Sequence, residues 1–373
     1  MTKGIKLFRI FGITISIDYS WFIVFVLFAW SLAYGYYPYY YPGFGKQSYI
    51  IIGTVSSLLL FICVLIHELS HSVVANRLGL DISGITLFIF GGVAEMTKEP
   101  EEAMVELKIA AAGPIASAIL GGLFYLAAKA LPAAGFPLVN AVLLYLSLIN
   151  FILMGFNLIP GFPLDGGRVL RSLWWAWTGD VYAATRAASQ SGRIFALFLI
   201  IFGFFQIFMG NLIGGLWMAL IGIFLQQAAV SGYQQLVVKK ILSKVKVRDV
   251  MSTEVVSISE EATISEAVDK YFLTHHFVSF PVTSMGKTTG IITFKAVKSL
   301  ARERWAEVPV SDVMIRIDEK GFLTPGENAM DALTKIVKSG IGRLPVVDKG
   351  RLVGMVSRGD LLRIIELKTS LKV

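Results

Sequence analysis

The chain has 373 residues, of which 55% are hydrophobic and 16% are charged. Soluble domains average about 25% charged residues, so the composition excludes a wholly soluble protein and indicates a membrane protein. The formal net charge is +8, but acidic and basic residues are interspersed, so we do not predict a nucleic-acid-binding protein.

The charged residues are concentrated in the C-terminal third of the chain. Residues 241–373 hold 20 of the 34 Lys and Arg residues and 16 of the 26 Asp and Glu residues. We therefore expect the main domain boundary near Val238-Lys239-Lys240, after an apolar domain at 1–235. The single cysteine, Cys63, excludes an internal disulfide and lies in an apolar run, where we interpret it as a packing residue.

Apolar windows of about 20 residues predict transmembrane helices. Roughly six occur, and in chain order they lie near 20–37, 49–77, 109–130, 138–158, 193–210 and 212–231. We take the first as an anchor and not a cleaved signal peptide, because cleavage would leave an odd number of spans. Basic residues cluster at both chain ends and in alternate loops, so the positive-inside rule predicts a multi-pass protein of the cell membrane with both termini cytoplasmic.

Two stretches alternate like β-strands, at 5–18 and at 82–96. Unpaired strands cannot face lipid, so these must pair with protein or line a cavity. One interpretation is a small sheet at the cytoplasmic interface. The other is a sheet edge that pairs with an extended peptide, in which case disrupting Gly91-Gly92 should lower catalysis without loss of metal. The metal site described next favours the second interpretation.

The second predicted span ends in His67-Glu68-Leu69-Ser70-His71, an H-E-x-x-H motif. Residues i and i+4 of a helix lie on one face, so both imidazoles can bind one metal ion. Glu68 lies beside them and can take a proton from an activated water and pass it to a leaving amine. About 0.002 such matches are expected by chance, which favours the metal interpretation.

The alternative is a polar helix end whose histidines are satisfied by neighbouring carbonyl groups. A charged residue in a span costs about 2.5–3.5 kcal/mol, whereas a bound structural zinc ion contributes on the order of 10–16 kcal/mol. Metal binding therefore offsets the burial of these groups, and ordinary packing does not.

A catalytic zinc ion usually takes three protein ligands, so a third must come from elsewhere. Cys63 and His71 are separated by about 12 Å of helix, too far to share an ion. The segment "NLIPGFPLDGGR" at 157–168 follows the fourth span, and its Pro and Gly residues predict irregular backbone there. Such a segment can direct Asp165 toward the histidines.

Three other polar features of the membrane part have open interpretations. Asn157 can donate a hydrogen bond to a developing oxyanion or bond between helices. Arg168 can anchor Asp165 or a lipid phosphate. The acidic run from Glu95 to Glu106 is expected to form a solvated amphipathic helix.

Together, "HELSH" and "NLIPGFPLDGG" resemble the two motifs of the site-2 protease family of intramembrane zinc metalloproteases. "FGITISIDYSW", "FGGVAEM" and "AAGPIAS" are also similar to family segments, and the resemblance covers about 1–235. It implies Zn²⁺ held by His67, His71 and Asp165, Glu68 as general base, and Asn157 as the family's asparagine. It also implies cleavage of transmembrane protein substrates within or near the lipid bilayer, often after a first cut by another protease.

The soluble part contains a repeat. "VRDVM" at 247–251 recurs as "VSDVM" at 310–314, and "GIIT" at 290–293 recurs as "GMVS" at 354–357. The pattern resembles a tandem pair of cystathionine-β-synthase-type (CBS) domains, which we place at 244–303 and 307–370.

The CBS resemblance implies an adenine nucleotide as ligand. In that family a hydroxyl lies near the phosphate of the nucleotide and an aspartate binds the ribose hydroxyls. The second repeat has both residues, as Ser357 and Asp360, whereas the first has Thr293 but Ala296 in place of the aspartate. Nucleotide sensing and mere dimerisation into a homo-oligomer are both open.

We therefore predict a polytopic α-helical membrane protein with small interfacial β elements, followed by a soluble α/β tandem CBS pair. The leading function is zinc-dependent endoproteolysis of transmembrane substrates with a cytoplasmic regulatory tail. A CBS-gated transporter or channel, with the His/Glu/Asp cluster as its ion site, is the alternative. A transporter should have ionisable residues distributed along the ion path through the membrane, whereas here they gather at one end of the membrane part. A catalytically inactive scaffold is disfavoured because Glu68 is intact.

Overall fold

The computed structural model describes residues 4–96, 99–132, 135–318 and 321–371. The chain forms two compact units, Met1–Gln234 and Gln235–Val373. Each has its own apolar packing, and each is described separately below.

The first unit is built mainly from helices. They are α1 (Tyr19–Ser31), followed by a π-helical turn at Leu32–Tyr36, α2 (Tyr37–Tyr40), α3 (Lys46–Arg77), α4 (Ala103–Ala130), α5 (Pro137–Asn157), α6 (Asp165–Thr178), α7 (Val181–Phe208) and α8 (Leu212–Ser243), whose last turns continue past Gln234. Within the described residues, six helical stretches are long and apolar enough to cross a membrane: Tyr19–Tyr40, α3, α4, α5, α7 and α8. The predicted number of spans is confirmed.

The structure differs from the prediction between the fourth and fifth spans. Backbone at 158–164 is irregular, but Asp165 begins a helix and does not lie in a loop. Helix α7 also begins earlier than the apolar window, because its N-terminal turns carry polar residues that lower the local hydropathy. Its N-cap is Asp180, whose carboxylate accepts hydrogen bonds from the Tyr182 and Ala183 amides.

The two strand-like stretches form one small sheet. It contains β1 (Ile5–Ile10), β2 (Ile13–Ile17), β3 (Ile82–Phe88) and β4 (Gly91–Met96), in that spatial order. β2 and β3 are parallel, while β1–β2 and β3–β4 are antiparallel hairpins. Strand β4 is therefore an edge strand of this sheet among the described residues.

The sheet packs on the helical bundle through one apolar cluster. Ile13, Ile15 and Ile85 are fully buried and pack with Trp21 and with Ile109 of α4. Because side chains alternate across a strand, β2 places its isoleucines in this cluster. This packing fixes the β3–β4 hairpin beside α3, where the H-E-x-x-H motif lies.

The second unit is an α/β repeat. Its first half contains β5 (Ile258–Ser259), α9 (Ile264–Ala267), α10 (Leu273–His275), β6 (Ser279–Ser284), β7 (Lys287–Thr293) and α11 (Phe294–Lys298). Its second half contains α12 (Val310–Val313), β8 (Ile315–Arg316), α13 (Ala329–Ser339), β9 (Arg343–Asp348), β10 (Arg351–Ser357) and α14 (Arg358–Ser370). The β6–β7 and β9–β10 hairpins are equivalent elements of the repeat.

Candidate metal centre and active site

Helix α3 brings His67 and His71 to the interior of the first unit. The two residues are 3% and 7% exposed. Their Nε2 atoms are 3.3 Å apart, as expected for side chains one turn apart on a helix. Two buried imidazoles thus present their ring nitrogens to one small volume.

Asp165 reaches the same volume from the start of α6. Its Oδ2 atom lies 3.1 Å from Nε2 of His67 and 3.1 Å from Nε2 of His71. Among the described residues, these three form a group whose possible ligand atoms all lie within 4.8 Å of one another. The carboxylate predicted from the "LDGG" segment is therefore brought to the histidine pair.

The geometry of this group fits a tetrahedral zinc ion. Ligands at about 2.0 Å from a tetrahedral ion are about 3.3 Å apart, close to the three separations observed. The hydrogen-bond pattern agrees. Nδ1 of His71 lies 2.6 Å from the carbonyl oxygen of Ile109, which only accepts, so Nδ1 carries the proton in the neutral ring. Nε2 of His71 then directs its lone pair toward Oδ2 of Asp165. Because two acceptor atoms repel each other, a cation bound to both would stabilise this arrangement.

Glu68 and Asn157 lie at the cavity beside this centre. The cavity has a volume of about 730 Å³ and is lined by His67, Glu68, Asn157 and Asp165 together with many apolar side chains. Glu68 also contacts strand β4, because a Cβ added to Gly92 would lie 2.5 Å from Glu68 Cγ. The proposed base is therefore held between its own helix and the hairpin.

Acidic and basic residues near the centre are arranged differently from the prediction. The expectation of a solvated helix from Glu95 to Glu106 is wrong, because Glu95 lies in β4 and α4 begins only at Ala103. Glu106 is in α4 but is fully buried, at 0% exposure. Its carboxylate accepts hydrogen bonds from Arg171 and lies 3.7 Å from Nε of Arg168. The ionic partner of Arg168 is thus Glu106. Sequence reasoning missed the Glu106–Arg171 pair, since the two residues are 65 positions apart.

Cys63 is buried at 2% exposure, in agreement with its interpretation as a packing residue. It lies one turn before His67 on α3 but does not belong to the candidate metal-binding group. His275 and His276 lie in the second unit and are not part of that group either.

A second, smaller cavity lies in the C-terminal unit. It has a volume of about 190 Å³ and is lined by Ser279, Arg343, Ser357 and Asp360, among others. Ser357 caps α14, and Asp360 Oδ2 accepts hydrogen bonds from the Ser357 amide and hydroxyl at 2.9 and 2.7 Å. Burial lowers the pKa of the Arg343 guanidinium and the Asp360 carboxylate opposes this shift. The two residues predicted for a nucleotide therefore line one cavity with a half-buried cation.

Comparisons with known proteins cover both units. The model of peptidase family M50 matches residues 55–138 and 132–202, and the CBS domain model matches 247–303 and 309–367. The chain is 32% identical over 377 residues to zinc metalloprotease MJ0392 of Methanocaldococcus jannaschii, covering 100% of both chains. It is 30% identical over 370 residues to Rip3 of Mycobacterium tuberculosis, covering 98% of this chain and 94% of that protein.

Among solved structures, the chain is similar to the site-2 protease from Methanocaldococcus jannaschii, with 31% identity, a TM-score of 0.42 and coverage of 61% of this chain and 94% of that one. The full-length similarity to zinc metalloproteases confirms the resemblance and the fold class inferred from the motifs, and it does not favour a transporter. The chain belongs to peptidase family M50, the site-2 protease family of membrane-embedded zinc metalloproteases, and carries a C-terminal pair of CBS domains.

Proposed function

We propose that the protein is an intramembrane endopeptidase that cleaves transmembrane protein substrates in regulated proteolysis. The observation that carries this proposal is the convergence of His67, His71 and Asp165 with Glu68 at a largely apolar cavity. The cavity is lined by helices of membrane-spanning length, including α3, α5 and α8. An apolar cleft suits the side chains of a transmembrane segment.

His67, His71 and Asp165 are proposed as the zinc ligands. When bound there, zinc supplies an activated water and polarises the scissile carbonyl group. Glu68 accepts the proton of the attacking water and passes it to the leaving amine. Asn157, at the end of α5, is placed at the same cavity and is proposed to donate a hydrogen bond to the developing oxyanion.

The site is proposed to lie toward the cytoplasmic side of the membrane, with both chain termini cytoplasmic. From Lys46 to His67, α3 extends about 31 Å, close to the thickness of a bilayer core. The predominance of basic residues at the chain ends and in alternate loops supports this orientation. Water then reaches Glu68 from the cytoplasmic side.

Strand β4 is proposed to bind the substrate in an extended conformation. A transmembrane helix bonds its own amides internally and must unwind before cleavage. β4 is an edge strand, and Gly91, Gly92, Val93 and Ala94 line the active-site cavity. Backbone pairing with this edge would replace the bonds lost on unwinding and hold the peptide beside Glu68.

The test is metal analysis combined with cleavage of a transmembrane reporter by wild type and Glu68→Gln. We expect bound zinc in both proteins and a loss of about 10²–10⁴-fold in cleavage by the variant. If wild type binds zinc but leaves every transmembrane reporter intact, the proposed protease function is contradicted. Metal-free protein that transports ions would support the alternative of a transporter.

The CBS pair is proposed to bind an adenine nucleotide at the cavity of Ser357 and Asp360. Their convergence with Arg343 supports this, because a carboxylate suits ribose hydroxyls and a guanidinium suits phosphate. Through this site the nucleotide would regulate the protease. Dimerisation of the CBS pair without a ligand is the competing role.

A further inference from the structure

One face of helix α4 contacts the metal centre and the helix that supplies Asp165. The contacts come from Glu106, Ile109, Gly113 and Ser117. This spacing of three or four residues places all four on a single face of an α-helix. Helix α4 itself contributes none of the proposed ligands.

Two of these residues contact the histidine rings at Nδ1, the ring nitrogen that faces away from the proposed metal position, with one residue at each ring. The Ser117 hydroxyl lies 2.9 Å from Nδ1 of His67, and the Ile109 carbonyl lies 2.6 Å from Nδ1 of His71. All of these groups are buried. A hydrogen bond at Nδ1 fixes the ring orientation and leaves Nε2 free to bind metal.

Gly113 lies between these two contacts and allows the close approach. A Cβ at this position would lie 2.6 Å from Nε2 of His67 and would also collide with the ring of His71. The helix backbone thus packs directly against both metal-binding nitrogens.

Glu106 connects α4 to α6. Its carboxylate accepts two hydrogen bonds of 2.9 Å from Nε of Arg171, and Nη2 of Arg171 adds a further contact. The Arg171 guanidinium also lies over the ring of Phe162, 5.0 Å from its centroid. Arg171 therefore contacts both Glu106 and the segment that leads into Asp165. A buried pair of this kind fixes one helix register, because a shift would leave a charge unpaired.

We propose that α4 pre-organises the metal centre, with Ser117 as the positioning residue for His67 and Glu106, through Arg171, as the positioning residue for Asp165. The proposal rests on the proposed zinc ligands but not on the proposed substrate. Its consequence is that zinc affinity depends on two side chains that do not touch the ion.

The first test compares Ser117→Ala, Ser117→Thr and Ser147→Ala in the full chain, with zinc affinity measured by competition with a chelator. Loss of the hydroxyl should weaken zinc binding about 10–100-fold, and threonine, which keeps the hydroxyl, should restore it. Ser147 is the control, because its buried hydroxyl donates to the Gly121 carbonyl and does not contact the centre. Wild-type affinity in Ser117→Ala, or an equal loss in Ser147→Ala, would overturn the role of Ser117.

The second test uses Glu106→Gln, which keeps the shape of the side chain but removes its charge. We expect weaker zinc binding and an altered absorption spectrum of the Co²⁺-substituted protein, because the carboxylate of Asp165 is displaced. The melting temperature of the metal-free protein is measured in parallel. A lower melting temperature with unchanged zinc affinity and Co²⁺ spectrum would mean that the pair only joins two helices, and the positioning role of Glu106 would be wrong.

Both tests measure metal binding, so they are separate from the test of the protease. Wild type that binds zinc but cleaves no transmembrane reporter would refute the proposed function and leave this inference intact. Loss of cleavage with normal zinc affinity in Ser117→Ala and Glu106→Gln would refute this inference and leave the proposed function intact.

Discussion

Gly92 of strand β4 lies directly against Glu68 of helix α3, so that a Cβ on Gly92 would fall 2.5 Å from Cγ and 3.0 Å from Cδ of the glutamate. The edge strand proposed to bind substrate and the residue proposed as general base are therefore in contact. A peptide paired with β4 would lie next to the carboxylate proposed as general base. The contact gives a physical reason for glycine at this position of the strand, where β-branched residues are otherwise favoured.

Gly92→Ala should lower cleavage while zinc stays bound. The added methyl group forces Glu68 to move, and a displacement of about 1 Å in a catalytic group can cost on the order of 10²-fold in rate. Reporter cleavage and zinc content are measured together. Gly155→Ala in α5 is the control, because its Cβ would meet no atom within 4 Å other than the adjacent backbone of its own helix. Full activity of Gly92→Ala would show that this contact does not position the base.

Gly113→Ala should abolish high-affinity zinc binding. The new Cβ occupies space next to Nε2 of both histidines, so the rings cannot keep their present separation. Gly122→Ala, on the same helix, is a matched control because its Cβ would meet no atom within 4 Å other than the adjacent backbone of its own helix. The measurement is the zinc content of each purified protein. Stoichiometric, chelator-resistant zinc in Gly113→Ala would refute the geometry proposed for the ligands.

Removal of the metal should stop cleavage without unfolding the protein. The apolar clusters of the first unit are built from residues such as Ile13, Ile85 and Leu146 and do not depend on the ligands. We expect helical circular dichroism to persist after treatment with a chelator. The melting temperature should fall, since a ligand at about 1,000 times its Kd contributes about 4 kcal/mol of stability. Added zinc should restore cleavage and the original melting temperature. Activity that survives complete metal loss would contradict zinc catalysis.

Asn157→Ala should lower kcat and leave zinc binding unchanged. Loss of one donor to a developing oxyanion costs about 10²–10³-fold in kcat, with a small effect on KM because the bond forms mainly in the transition state. Kinetics with a transmembrane reporter measure the effect. If Asn157 instead bonds between helices, the melting temperature falls and kcat per folded molecule does not.

Asp360→Asn should weaken adenine nucleotide binding about tenfold, because a charged acceptor contributes about 1.5–3 kcal/mol to a hydrogen bond and a neutral one contributes less. Titration calorimetry of the full chain with AMP and with ATP measures the affinity. Glu366→Gln removes the same charge from an exposed position of α14 and should bind as wild type does. Absence of binding in the wild type would favour a CBS pair that only dimerises.

Sequence patterns were most informative where they are local. The H-E-x-x-H motif places His67, Glu68 and His71 on one helix whatever the fold, because helix geometry fixes residues one turn apart. The alternation at 5–18 and 82–96 predicted strands, and the structure pairs them into one sheet. Windows of apolar residues likewise predicted the spans, but not α6, whose polar residues carry no membrane signal.

Contacts between distant residues required the fold. The pairing of Glu106 with Arg171 and the contact of Ser117 with His67 each join residues at least 50 positions apart. From local composition, Glu106 was predicted to be solvated like the other acidic residues near it. Nothing in its neighbours along the chain reveals the arginine that neutralises it.

The sequence by itself indicated the chemistry proposed for this protein: a helix with a proposed zinc-binding pair and an adjacent proposed base, in a chain apolar enough to span a membrane, with a repeated soluble tail. The resemblance implied Asp165 as the third ligand. Only the tertiary structure decided that Asp165 begins a helix, that Gly92 contacts Glu68 and that α4 contacts both histidine rings. The physical reason is that residue type and periodicity set what each segment can bury, whereas packing of several helices and a sheet sets which buried groups meet.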